Sequence, residues 1–294
     1  MNQKTAWLFA GQGSQKPGMG RDFYDAYPQI RHLFDSKIDG LDLHTLCFDS
    51  DSATLSDTRN TQPCMAAFAA AVVALLTEAG LQPQAVAGLS LGEYSALHAA
   101  GVLPSDTLLE LLAFRGRIMS NAAAGIKSRM TAVLGLGTSE VEAAVATIAA
   151  DEQTAASAGV VVCSNYNCPG QIVIGGTQDE VLRTEALLKE QGARRLLPLN
   201  TSGPFHTPLM SSAASELQVR LSATTLGAQS VPVVFNATAA TAPDSAIRDL
   251  LVRQIKSPVL FEQSIRTLQS LGITQTIEIG PGHALSGFVR KAAP

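Results

Sequence analysis

The sequence predicts an α/β fold: one large domain with a parallel sheet, and a small subdomain inserted into it. Three observations carry this. Short apolar runs alternate with long helical patterns in the flanking parts of the chain, as in parallel sheets covered by helices. About 70 residues in the middle instead read β-α-β-β-α-β, the ferredoxin-like order, which is enough for one compact unit. The chain's 294 residues, 46% hydrophobic and 16% charged, are enough to bury a sizeable core.

The elements follow in order. The first strand is predicted over 6–10 and a helix over 62–79. The longest apolar run, 64–76, is shorter than the ~18 residues a membrane span needs and reads as part of a buried core helix bracketed by Pro63. A strand over 85–87 and helices over 92–100 and 104–123 complete the first part. In the insert, a strand over 131–136 precedes a helix over 139–150 with Ser139 as N-cap. Strands over 160–163 and 171–174 flank a turn-rich stretch, 165–170. A helix over 178–191, stopped by Gly192, and a strand over 195–199 close the unit. The large domain is then 1–128 and 199–294, and the subdomain 129–198. The return segment carries a helix from Pro208, a strand over 232–235, helices over 246–255 and 261–271, and a strand over 276–279.

Composition narrows the function. The net charge is −4 and aromatic residues make up 5%, with no basic run. Neither an electrostatic footprint for nucleic acid nor a stacking platform for bases is expected. The four cysteines are scattered without a Cys-x-x-Cys pair, so neither a metal site nor a disulfide framework is expected. Reduced thiols and the lack of a basic leader with a cleavage site point to a cytoplasmic protein.

The most informative run is Gly88-Leu89-Ser90-Leu91-Gly92. It is the Gly-x-Ser-x-Gly of a nucleophile elbow, a sharp turn between a strand and a helix that exposes a serine hydroxyl. The large domain is on this reading α/β-hydrolase-like. Glycines are needed two residues to either side because a Cβ there would strike neighbouring backbone. The N–H of Leu91 is left to face an oxyanion.

A serine hydroxyl needs a base. Of the five histidines, His32 and His44 carry no other signal, His98 lies eight residues along the elbow helix, and His283 sits in a Gly-Pro-Gly turn. His206 lies between the last subdomain strand and the next helix, at a domain junction where clefts form, and is the candidate base. A second glycine-rich turn, 11–15, lacks dinucleotide-loop spacing, because Lys16 stands where the third glycine belongs. It can instead supply a second oxyanion N–H, from Gln12. Arg115 sits among apolar neighbours on its helix. An inward arginine holds a carboxylate, either a substrate's or that of an Asp or Glu of the chain.

These pieces together resemble the malonyl-CoA:acyl-carrier-protein transacylases of fatty-acid synthesis and the related acyltransferase domains of polyketide synthases. The matching runs are 11–15, 88–96, 115–117, 165–171, 203–206, 252–254 with Pro258, and 278–282. They keep the family's order across nearly the whole chain. The resemblance implies that Ser90 is acylated and that His206 is the base, oriented by the backbone carbonyl of Gln254. It also implies an oxyanion hole from Gln12 and Leu91, and Arg115 on the malonyl carboxylate. Asn165 or Asn167, and Gln254, are implied to line the cleft from its two sides, and Phe205 to select malonyl. The expected partners are malonyl-CoA as substrate and an acyl carrier protein docking on Arg290 and Lys291, with Arg194 and Arg195 as the second choice. No bound cofactor or metal, no nucleic acid and no membrane are expected, and a monomer is. Two residues depart from the family's habit: Leu89, where many members carry His, and Ala10, where many carry Pro. A serine hydrolase on the same machinery, a malonyl-transfer subunit of a malonate decarboxylase or of polyketide synthesis, and an idle carrier-binding scaffold are the competing readings.

Overall fold

The computed structural model describes residues 4–293. Alternation along the first strand, Thr5–Phe9, decides the architecture. Trp7 and Phe9 face one apolar cluster, and Ala6 and Leu8 face another. A strand buried on both faces belongs in a parallel sheet covered by helices. Four parallel strands form that sheet, in the order Gln275–Ile279, Thr5–Phe9, Ala85–Gly88, Val233–Val234. One face packs against helices Thr58–Glu78, Ser105–Ala123, Ser211–Ser222 and Ile247–Ile255, the other against Phe261–Ser270 and Ala284–Ala292.

The helix Thr58–Glu78 starts four residues before the predicted point, because the Asp57 carboxylate caps it by accepting from the Arg59 N–H at 2.9 Å. Pro63 therefore lies inside its second turn rather than bracketing it. At 21 residues the helix is long and apolar enough to cross a membrane, but two thirds of its most apolar stretch is buried in the protein.

The subdomain has its own core, including Val133, Ile148, Ile172 and Leu188. Its four strands, Ser128–Leu134, Val161–Cys168, Gln171–Thr177 and Arg195–Pro198, take the ferredoxin-like order 2-3-1-4, with helices Thr138–Ala149 and Gln178–Glu190 packed on them. Two features correct the sequence reading. The Val161–Cys168 strand runs on through Asn165 and Asn167, where a turn is predicted. Register shifts at 163/165 and 166/168 let it bulge without leaving the sheet, and the turn shrinks to Pro169-Gly170. Gly137, not Ser139, caps the first helix, its N–H donating to Glu140 Oε2 at 2.6 Å. A short strand of the large domain, Val259–Leu260, adds in parallel to Asn165–Tyr166, and so ties the two units together.

Candidate active site

The Ala85–Gly88 strand turns into the helix Gly92–Ala99 within three residues. A Cβ on Gly88 would lie 2.0 Å from the Gly92 carbonyl carbon, and one on Gly92 would lie 2.2 Å from Phe9 O. Contacts that short admit only glycine, so both glycines follow from the tightness of the turn. Ser90, between them, takes φ 55°, a left-handed conformation that a side chain rarely adopts. His206 takes φ 61°.

These two residues meet. Ser90 Oγ lies 2.7 Å from His206 Nε2. His206 Nδ1 lies 2.8 Å from the backbone carbonyl of Gln254. A carbonyl only accepts, so Nδ1 carries the hydrogen and Nε2 is the free acceptor for the serine proton. Burial, and then the charge of Arg115, push the His206 pKa down to about 4, against smaller raising effects of backbone hydrogen bonds. The imidazole is therefore neutral at physiological pH, as a base must be.

Arg115, on the helix Ser105–Ala123, is 1% exposed. Its Nη2 donates to Ser90 Oγ at 3.3 Å and to Gln254 Oε1 at 3.0 Å. Its Nη1 donates to Gln62 Oε1 at 2.8 Å, and the guanidinium lies over the Tyr94 ring. No salt bridge to Arg115 is found among the described residues. Glu93 lies near, but burial above all pushes its pKa up to about 8, against the Asn236 N–H and Arg115, which lower it. Glu93 is thus largely uncharged at neutral pH, and the arginine's charge is held by two amide oxygens.

Gln254 does not line the cleft. Its side chain is fully buried, with Oε1 on Arg115 and Nε2 donating to the Ser90 carbonyl at 2.9 Å. Its helix turns the face bearing Ile247, Leu251, Gln254 and Ile255 inward. The cleft, about 620 Å³, is lined by Gln12, Ser90, Arg115, Asn165, Asn167, Phe205 and His206, among others, together with an apolar wall of Met119, Met130 and Phe288. The Asn167 Oδ1 is buried without a partner among the described residues. The N–H groups of Gln12 and Leu91 make no hydrogen bond among the described residues, while the Gln12 side chain donates to Thr58 Oγ1 at 2.9 Å. Leu89 lines the cleft. The Ala10 N–H donates to Ile279 O at 3.0 Å, a sheet bond that a proline there would remove.

Arg290 and Lys291 are exposed on the last turn of Ala284–Ala292, whose residues Ala284, Leu285 and Phe288 line the cleft. Arg194 and Arg195 are exposed at the subdomain's edge strand. His98 donates from Nδ1 to Leu103 O at 2.7 Å, away from Ser90. Three site residues escape the sequence reading: Gln62, Glu93 and Asn236. Asn236 carried a usable signal, since it directly follows a predicted strand, at the carboxyl edge where α/β sheets build their sites.

A serine hydroxyl on an elbow, against a histidine whose other nitrogen is held, is the arrangement of serine enzymes that move acyl groups. The chain belongs to the acyl transferase domain family, whose model matches residues 6–292. It is 40% identical over 291 residues to the malonyl CoA-acyl carrier protein transacylase of Bacillus subtilis, covering 98% of this chain and 90% of that protein. Among solved structures it is similar to the MCAT of Streptococcus pneumoniae (45% identity, TM-score 0.91), covering 99% of this chain and 93% of that one. It is also similar to a malonyl-transacylase solved in complex with its type II PKS acyl-carrier protein (35% identity, TM-score 0.93), again covering 99% and 93%.

Proposed function

We propose that the chain transfers a malonyl group from malonyl-CoA to the phosphopantetheine thiol of an acyl carrier protein, through a malonyl ester on Ser90. The observation that carries this is Arg115: a buried guanidinium with no carboxylate partner among the described residues, 3.3 Å from the serine oxygen. A small acyl group bearing its own carboxylate supplies the missing charge.

The reaction is ping-pong. His206 Nε2 takes the Ser90 proton as the oxygen attacks the thioester carbonyl. The N–H groups of Leu91 and Gln12 receive the oxyanion. The tetrahedral intermediate collapses, and the CoA sulfur leaves with the proton held by His206. The carrier thiol then gives its proton to His206, attacks the ester, and restores Ser90. Gln254 fixes the imidazole through its carbonyl and the guanidinium through its amide, while Asn165 and Asn167 offer polar contacts along the cleft. Phe205 bounds the room beside the acyl group. We further propose that the carrier docks on Arg290 and Lys291 beside the cleft, and that the protein acts as a cytoplasmic monomer on CoA-bound substrate without a resident cofactor. Four buried, unpaired cysteines fit a reducing compartment.

The test is intact mass after incubation with malonyl-CoA, followed by peptide mapping. A malonyl adduct on Ser90, stable until a carrier thiol is added, is expected. An adduct retained in Ser90→Ala, or an ester that water clears as fast as the carrier does, overturns the reading.

A further inference from the structure

The elbow has a support that no step of the acyl transfer uses. Its reversal leaves two backbone groups without regular partners, the Gly88 carbonyl and the Ser90 N–H. One side chain takes both. Asn236 Nδ2 donates to Gly88 O at 2.6 Å, and Asn236 Oδ1 accepts from the Ser90 N–H at 2.8 Å. The same Oδ1 lies 3.4 Å from Gln254 Nε2, on the residue that orients both His206 and Arg115.

The backbone of Asn236 is tied as well. Its N–H donates to Glu93 Oε2, and its carbonyl accepts from the Leu260 N–H at 3.0 Å, in the strand that joins the subdomain sheet. The placement follows from the sheet. Val233–Val234 pairs in register with Val86–Ala87, so the residue two beyond Val234 arrives beside the turn. Asn236 is fully buried and does not line the cleft.

We infer that Asn236 is a positioning residue for the nucleophile: its carboxamide holds Ser90 in the left-handed conformation and sets the reactivity of the hydroxyl. This rests on Ser90 being the reactive serine, as proposed above. Both polar ends are required. A side chain that only accepts satisfies Ser90 N–H and leaves Gly88 O unpartnered; one that only donates does the reverse. Asparagine does both, and so does a protonated aspartic acid. An ionised aspartate does not.

That difference supplies the test. Wild type, Asn236→Asp and Asn236→Ala are labelled with a fluorophosphonate, which reports an activated serine whatever its acyl substrate. Rate constants are measured from pH 5 to pH 9.5, with melting temperature followed throughout. For Asn236→Ala, labelling of the folded fraction is expected to slow roughly 10- to 100-fold, the range two net hydrogen bonds can supply. For Asn236→Asp, the ratio of wild-type to variant rate is expected to be near one at pH 5 and to grow at least several-fold as the acid ionises, which burial delays as it does for the neighbouring Glu93. A purely structural role would lower the labelled amplitude, leaving the rate constant of the folded fraction unchanged. Such a result, or an Asn236→Asp ratio that does not move with pH while the protein stays folded, overturns the inference. Labelling of wild-type Ser90 without transfer of malonyl would instead count against the proposed substrate and leave this inference standing.

Discussion

Replacing Arg115 by alanine separates the acyl groups this site accepts. The guanidinium is sealed against Tyr94 and held by the Gln62 and Gln254 amide oxygens, with a longer contact to Ser90 Oγ. A charge-assisted hydrogen bond from it to a malonyl carboxylate contributes about 1.5–3 kcal/mol. That corresponds to a roughly 10- to 150-fold preference over acetyl. Arg115→Ala is therefore expected to lose about that factor in kcat/KM for malonyl-CoA, and to hold or gain with acetyl-CoA. A second readout comes from the histidine. Arg115 is one of the two causes that depress its pKa to about 4, so removing the charge moves the acid limb of acetyl transfer upward, toward the ordinary histidine value. The assay is initial acylation rate with each CoA ester across pH 4 to 8. Equal losses on both esters, together with an unmoved acid limb, would refute the account of Arg115 as an unneutralised anion receptor.

Three further outcomes follow from the same groups. His206 is neutral when folded down to about pH 4 but titrates near 6.5 when unfolded, so the unfolded chain binds more protons between these values. The His206 contribution is accordingly full above pH 6.5 and falls by up to about 3 kcal/mol as pH drops to 4. His206→Gln flattens that loss, measured by urea unfolding. Glu93 runs the other way: its folded pKa of about 8 lies above the unfolded value, so stability falls as pH rises from about 4.5 through 8. Glu93→Gln is expected to flatten the alkaline loss, measured as melting temperature at pH 5 and pH 9. Charge reversal at Arg290 and Lys291 together is expected to lower kcat/KM for the carrier several-fold, more at low salt, while acylation by malonyl-CoA holds. An unchanged carrier rate in stopped-flow assays would remove them from the docking surface.

The parallel strands were legible because burial on both faces leaves near-continuous apolar runs, as in Ala85–Gly88. The elbow was legible because its clashes dictate its two glycines. Segment 10–57 was not. Its helices are four to six residues long, two of them capped by Asp42 and Asp51, and they pack through aromatic contacts among Tyr24, Phe34 and Phe48, which no local period announces. Asn165 and Asn167 read as a turn because asparagine favours turns, whereas a bulged strand keeps them in the sheet. Gln254 was expected on the cleft wall because the family resemblance implies it there. Its spacing from Ile247 and Leu251, which put it on the buried face, carried the better signal.

The charge pattern of the site also explains why its supports are amides. A carboxylate beside Arg115 would offset the cost of burying the cation, and would fill the place a substrate anion needs. Gln62 and Gln254 instead give the guanidinium acceptors without neutralising it, and an uncharged Glu93 leaves that balance intact. The residual positive charge acts in two directions. On the proposed reading it draws in an acyl group that ends in a carboxylate, and until that group arrives it adds to burial in keeping His206 unprotonated. Once a malonyl carboxylate is bound, the same neutralisation lets the imidazole hold the serine proton more readily, at the step where it must do so. On the proposed function, substrate charge and proton transfer are coupled through one guanidinium. A neutral acyl group would bind without that assistance, and so discrimination is expected in the rate of acylation as well as in binding.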